Sequence, residues 1–310
     1  MAVGQAVCIT DCPCWRPPAV SRAMGRVAKQ PAVGVDAGAT LLKILLRGGD
    51  GSEQRHLLPG REVAAAVDLV SGADPASLGI TGGGAEGFTR RWIKAHPRQA
   101  RSPEARRCEE FESWAAGARS LIEAGRIDSS FPFLLASVGT GTSVLLVNND
   151  SVHRVGGTAL GGGTFMGLVN VLAGARDFAA AVVLAAAGDR KNVDLLVKDV
   201  YRDSKELPLP GDLNAASFGK ITADGPEPVA ADLANSAAAL VAENIALLCH
   251  GMAAAAGVDT VVYGGATLRD NPALVSVLTE VSAAVGLRAV VPDNGEFTGA
   301  LGALKLAASL

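Results

Sequence analysis

From residue 31 onward, short apolar runs alternate with clusters of turn residues, the pattern of strands joined by tight turns. Ala32 to Val35 is apolar, Asp36-Ala37-Gly38-Ala39-Thr40 is a turn, Leu41 to Leu46 is apolar, and Gly48-Gly49-Asp50-Gly51 turns the chain again. The pattern predicts a hairpin whose first turn carries glycine. Roughly a hundred residues later it recurs, as self-similar chains do: Phe133 to Val138, the turn Gly139-Thr140-Gly141-Thr142-Ser143, Val144 to Val147, and Asn148-Asn149-Asp150. A degenerate duplication follows as the expectation.

Helical spacing fills the intervals. Arg61 to Val70 and Glu109 to Ala124 read as helices around a short strand at Leu78 to Ile80. After the second hairpin, a glycine-rich loop at 156–163 precedes helices from Thr164 through about Ala186, then Val193 to Tyr201 and Ala231 to Ala256. Thr260 to Tyr263 is a strand and Asn271 to Val285 a helix. Pro208, Pro210, Pro226 and Pro228 bracket an irregular insertion, because proline removes a donor and clashes with the preceding turn. Gly295 to Ser309 places Gly and Ala at helical spacing, suited to tight packing back on the first domain. The duplication implies α/β domains at 31–130 and 131–310, after an unstructured extension over 1–30 in which Met24 is an alternative start.

Composition narrows the function classes. Apolar residues are 49%, charged residues 19% and aromatics 4% of 310 residues, so small aliphatic side chains must fill the core. A net charge of -3 without a basic stripe argues against nucleic acid. The longest run free of charge and strong polarity is taken as Phe178 to Ala187, short of the ~20 residues that span a bilayer, so no membrane partner is expected. Cys8, Cys12 and Cys14 crowd the amino terminus without a fourth ligand nearby, while Cys108 and Cys249 stand alone. That is neither a zinc site nor a disulfide framework, and it fits a cytoplasmic setting.

The 37 glycines gather in turns between apolar runs, where backbone meets a ligand or another backbone closely. In the first turn, N–H groups near Gly38 and Ala39 could cradle phosphate, with Asp36 holding hydrated Mg²⁺, Thr40 donating a hydrogen bond and Lys43 following. The plain alternative is an ordinary hairpin turn. Gly82 and Gly83 follow a strand and signal close approach. Gly139, Thr140 and Thr142 repeat the first turn with hydroxyls in place of the carboxylate, suiting phosphate or a polar substrate. Gly162, Gly163 and Thr164 open a helix, where N–H groups and the helix dipole attract anions. No P-loop lysine follows, and no strand leads into a dinucleotide fingerprint. Gly265 and Ala266 end a strand with a flat surface against which adenosine can lie.

Several blocks together resemble the type II pantothenate kinases: Gly34 to Ile44, Thr81-Gly82-Gly83, Glu110-Phe111-Glu112, Val138 to Ser143, Arg154-Val155-Gly156-Gly157 and Gly161-Gly162-Gly163. Gly188-Asp189-Arg190, Asp194-Leu195 with Tyr201, and Pro210 to Ala216 with Phe218-Gly219 are similar to blocks that general sugar kinases lack. The resemblance runs from about Val33 to Leu306. It implies an actin-like ATPase fold of the sugar kinase/Hsp70/actin (ASKHA, ribonuclease H-like) type, duplicated α/β domains around a central nucleotide cleft. It further implies ATP and Mg²⁺, a homodimer, pantothenate as substrate, and coenzyme A or its acyl thioesters as inhibitors.

By the same resemblance Glu110 is the catalytic base, although its residues alone read as an acidic first helical turn. Thr140, Thr142 and Arg154 would meet pantothenate, and Gly162, Gly163, Phe178, Gly265 and Ala266 would meet ATP. Ala39, Phe178 and Ala266 depart from the family, which often has Gly, Tyr and Ser there. The expected reaction is phosphorylation of pantothenate to 4'-phosphopantothenate, the first step of coenzyme A synthesis. A kinase for another small alcohol, an amino sugar or a pantothenate-like amide, is the alternative within enzymes, and a non-catalytic nucleotide or coenzyme A sensor the alternative outside them.

Overall fold

The structure is a computed structural model that describes residues 31–97, 105–125, 127, 131–201, 211 and 213–308. The expected extension with its three cysteines, and Pro208 and Pro210, lie outside the described residues. β1 (Ala32–Ala37), β2 (Leu41–Arg47) and β3 (Glu53–Pro59) form an antiparallel meander. After α1 (Val63–Gly72) comes β4 (Ser77–Thr81), parallel to β1, and after α2 (Ala85–Ala95) comes β5 (Ala105–Arg107), parallel to β4. This sheet has the order β3-β2-β1-β4-β5.

α3 (Glu110–Glu123) leads into a second meander, β6 (Phe133–Val138), β7 (Thr142–Val147) and β8 (Val152–Thr158), followed by α4 (Gly162–Ala173) and α5 (Phe178–Ala187). A small two-stranded sheet of β9 (Leu195–Leu196) and β10 (Asn214–Ala216), with the one-turn α6 (Val197–Val200) between its strands, interrupts the helices. Then come α7 (Ala230–Ala256), β11 (Thr260–Gly264), α8 (Pro272–Ala284), β12 (Arg288–Val290) and α9 (Thr298–Ala308). β11 runs parallel to β6 and β12, so the second sheet, β12-β11-β6-β7-β8, repeats the order of the first. The duplication read from the two hairpins is thus present at the level of whole sheets.

Side-chain alternation decides what faces what. In β1, Val33, Val35 and Ala37 join α1 and α2 in one core, so Gly34 and Asp36 take the opposite face. In β6, Leu134, Ala136 and Val138 pack with α4, α5, α7 and α8, while Phe133 and Leu135 face α3 and α9. α3 and α9 share one apolar cluster with Leu45 of the first sheet and Leu145 and Val262 of the second. Both helices therefore lie between the sheets. α9 sits so close to the first sheet that a Cβ at Gly34 would stand 1.9 Å from Ala300 O, and one at Gly79 2.0 Å from Ala303 O. The chain end does close back on the first domain.

Other elements depart from the sequence reading. The helix expected over Val193–Tyr201 is mostly absent: Leu195 and Leu196 pair with β10, and only Val197–Val200 coil. The glycine loop expected from Gly156 begins three residues later, because Gly156, Gly157 and Thr158 continue β8 past a bulge opposite Val144 and Leu145. α7, read from the sequence as a helix over Ala231–Ala256, is long and apolar enough by composition to cross a bilayer, which the sequence reading did not weigh. More than half of its apolar window is buried in the fold. On the same helix Glu243 pairs with Arg190 at 2.5 Å, and Asp232 accepts from Asp189 N at 2.8 Å. α5 is capped by Asp177, whose carboxylate accepts from Ala180 N at 2.9 Å. Asp177→Ala should lower the unfolding free energy by about 1 kcal/mol, and chemical denaturation would detect it.

Candidate active site

The first turn is built on the inner face of the first sheet. Asp36 is 2% exposed and its Oδ2 accepts from Lys43 Nζ at 3.1 Å, the two residues being paired across β1 and β2. Lys43 curls over the turn, its Nζ lying 2.9 Å from where a Cβ of Gly38 would stand. Burial raises the Asp36 carboxyl above its ordinary value, and the Lys43 charge and hydrogen bond oppose the shift. Gly82 holds a left-handed φ of +87°, and a side chain there would meet Asp36 Oδ1 at 2.6 Å. Gly84 N donates to Ala37 O at 2.7 Å, which ties the loop after β4 to this turn. Gly83 has open space beside it, and Ala39 and Thr40 stand exposed at the tip.

The second turn meets the first: Thr40 Oγ1 and Thr140 Oγ1 are 2.9 Å apart, across a hundred residues of chain. Two further loops converge on its far side. Gly139 O accepts from Gly162 N and from Thr267 Oγ1, each at 2.8 Å, and Thr140 O accepts from Gly163 N at 3.0 Å. The first N–H groups of α4, expected to face an anion, are instead tied to turn carbonyls. Thr164 Oγ1 likewise donates to Ala159 O at 3.0 Å. Gly265 has φ +121°, and a Cβ there would stand 2.2 Å from Val138 O, so only glycine lets β11 meet the end of β6. Ala266 follows, partly exposed.

Glu110 opens α3, with Glu109 as the preceding extended residue, and its side chain reaches solvent. Partial burial raises its pKa first, the Asp36 charge raises it further, and the Lys43 charge lowers it. Those couplings bring Glu110 into the field of the first turn. One helical turn on, Trp114 is buried between the halves: a Cβ at Gly264 would meet its ring at 3.0 Å. A Cβ at Gly299 would meet both Trp114 Nε1, at 2.9 Å, and Asp36 Oδ2, at 3.0 Å. Trp114 thus braces α3 against the strand end and the acidic turn.

The remaining candidates lie further out. Thr142 is 4% exposed and its hydroxyl donates to Leu160 O at 2.8 Å, so it anchors the glycine loop from beneath. Arg154, on β8 at the bulge, is exposed and has no hydrogen-bond or ion-pair partner among the described residues; its guanidinium reaches the space above Gly157. Phe178 packs edge-on against Phe165 with ring centroids 5.9 Å apart. Sequence reasoning missed Trp114 and Thr267, and it missed a cavity of about 680 Å³ beside Gly264 and Gly265. Leu57, Leu268, Val291 and Pro292 supply its apolar wall, and Arg55, Arg269, Asp270, Asp293, Asn294 and Glu296 its polar groups. The turn Pro292-Asp293-Asn294-Gly295 was the available signal.

The Fumble family model matches residues 59–305. The type II pantothenate kinase of Staphylococcus haemolyticus is 32% identical over 278 residues, covering 88% of this chain and 99% of that protein. That of Staphylococcus epidermidis (strain ATCC 12228) is 34% identical over 277 residues, with coverage of 88% and 99%. Among solved structures, the activator of the 2-hydroxyisocaproyl-CoA dehydratase from Clostridium difficile, with bound ADPNP, aligns with a TM-score of 0.56 at 14% identity, covering 89% of this chain and 94% of that one. A ROK family glucokinase from Streptomyces griseus, in complex with glucose and AMPPNP, aligns with a TM-score of 0.53 at 14% identity, covering 89% and 99%. These likenesses bear out the expected duplicated, actin-like α/β fold. On the family match and the relatives' identity over nearly their whole length, the chain belongs to the Fumble family and, within it, to the type II pantothenate kinases.

Proposed function

We propose that this protein transfers the γ-phosphoryl group of ATP to the primary hydroxyl of pantothenate, yielding ADP and 4'-phosphopantothenate. Family membership supports the reaction. The observation that carries the geometry is the 2.9 Å contact between the tips of the two hairpin turns, with the Asp36–Lys43 pair behind it. A triphosphate laid across Gly38–Thr40 and Gly139–Thr140 meets backbone N–H groups, two hydroxyls and the Lys43 ammonium, which stabilise charge moving towards the leaving oxygen. In the transfer, the acceptor oxygen forms a bond to the γ-phosphorus as the bond to the β-γ bridging oxygen breaks. Glu110 takes the hydroxyl proton. Arg154 offers planar N–H donors to pantothenate oxygens.

Asp36 fits a magnesium ligand. Lys43 contacts its Oδ2, and its Oδ1 borders the space that a Cβ at residue 82 would fill. Mg²⁺ needs only one or two carboxylates when waters and phosphate oxygens complete its shell, and among the described residues no three His, Cys, Asp or Glu side chains converge to form a cage. When bound, Mg²⁺ supplies neutralising charge to the phosphates. The nucleoside half occupies the cavity beside Gly264 and Gly265, whose volume suits such a ligand.

ADP release should require pantothenate and leave a phosphomonoester of it as product. A substrate panel with an amino sugar and a pantothenate-like amide tests this. Faster turnover of either would reassign the acceptor, and nucleotide binding with no turnover of any alcohol would point to a sensor.

A further inference from the structure

The cavity beside Gly264 and Gly265 contains a group the phosphoryl-transfer reading does not use. Glu296 lines it, is only 7% exposed, and has no hydrogen-bond or ion-pair partner among the described residues. Both arginines of the cavity are already engaged: Arg55 with Glu53 at 2.5 Å, and Arg269 with Asp270 at 3.6 Å. A little-exposed carboxylate that no protein donor occupies keeps its acceptor positions open to a ligand that brings donors.

Its place along the cavity selects the donor. Gly295, the preceding residue, abuts the end of β11: a Cβ at Gly264 would stand 3.1 Å from Gly295 O. Gly265 in turn touches the end of β6, from which the phosphate-facing turn begins. Leu268, Arg269 and Asp270 also line the cavity. Glu296 thus follows the residue that abuts the strand end joining the phosphate turns to this cavity, and the nucleoside placement given above sets the sugar beside it.

Building on the placement of the nucleoside half given above, we propose that Glu296 is a specificity-determining residue that reads the ribose: its carboxylate accepts hydrogen bonds from the 2'- and 3'-hydroxyls. The protein therefore prefers ribonucleotides to deoxyribonucleotides.

Binding of ADP, 2'-deoxy-ADP, 3'-deoxy-ADP and IDP, measured calorimetrically with Mg²⁺ and without pantothenate, tests this. The unaltered protein should bind ADP about tenfold or more tightly than at least one deoxy form, and Glu296→Ala should bind all three adenine nucleotides alike. Equal affinity of the unaltered protein for ADP and both deoxy forms would overturn the proposal. So would a loss in Glu296→Ala confined to discrimination between ADP and IDP, which would assign the carboxylate to the base. Nucleotide discrimination without pantothenate turnover would leave this inference standing while removing the acceptor, and pantothenate turnover with equal use of ATP and its deoxy analogues would do the reverse.

Discussion

Replacing Glu110 with glutamine should lower kcat for pantothenate phosphorylation by about 10²- to 10⁴-fold, the range for loss of a positioned general base. Nucleotide affinity should stay nearly constant, because the substitution keeps the shape of the side chain and leaves Asp36 and Lys43 in place. The sign of the pH dependence follows from the environment. Burial and the Asp36 charge raise the Glu110 pKa, so the proton leaves at a higher pH than from an ordinary glutamate. A base must be ionised to act. The acid limb of kcat/KM should therefore fall at a pH above the ordinary glutamate value of 4.5, and that limb should disappear in Glu110→Gln. Turnover by the variant at the parental rate would end the assignment.

The second large effect is structural. A Cβ at Gly302 would stand 1.6 Å from Ser113 O, where α9 crosses α3 backbone to backbone. Neither carbonyl nor helix can yield locally, so Gly302→Ala should destabilise the fold by about 3 kcal/mol or more. At the usual size scaling this lowers the melting temperature by roughly 6 °C or more. Gly167 provides the control: it lies on the exposed side of α4 with nothing within 4 Å of its added Cβ. Gly167→Ala should stabilise by about 0.5 to 1 kcal/mol. Scanning calorimetry of the two variants should give shifts of opposite sign.

The parts legible in the sequence were those with strong local signals. Both hairpins announced themselves through apolar runs on either side of turn residues, and their repetition carried the duplicated architecture. Edge strands did not. β5 and β12 have three residues each, too few to show a period, and β3 begins Glu-Gln-Arg-His, a polar run that becomes a strand only because β2 lies beside it. The Val193–Tyr201 segment has helical spacing, but its pairing with β10 across a proline-bracketed insertion overrides local preference.

Within the site, the glycines pointed to close approach without saying to what. Gly162 and Gly163 looked open to an anion, yet the carbonyls that take their N–H groups belong to a turn more than twenty residues earlier. Thr142 carries a hydroxyl in a promising turn, and its partner Leu160 appears only when β7 and the glycine loop are folded together. Trp114 lies on a helix the sequence predicts, with no local mark of a site. Its placement against Gly264 and Gly299 depends on three elements drawn from both halves. Glu110 was named through family resemblance alone, since two neighbouring glutamates give the same acidic helix start.

The seating of α9 has a bearing on synthesis. Gly34 and Gly79 leave grooves on the first sheet that only residues 298–308 fill, so the opening strands emerge from the ribosome long before their cover exists. At a few residues translated per second, that sheet must wait with one face bare through production of almost the entire second half. Nascent chains stalled before Thr298 should thus be far more open to proteolysis in β1 to β4 than chains stalled after α9 has cleared the exit tunnel.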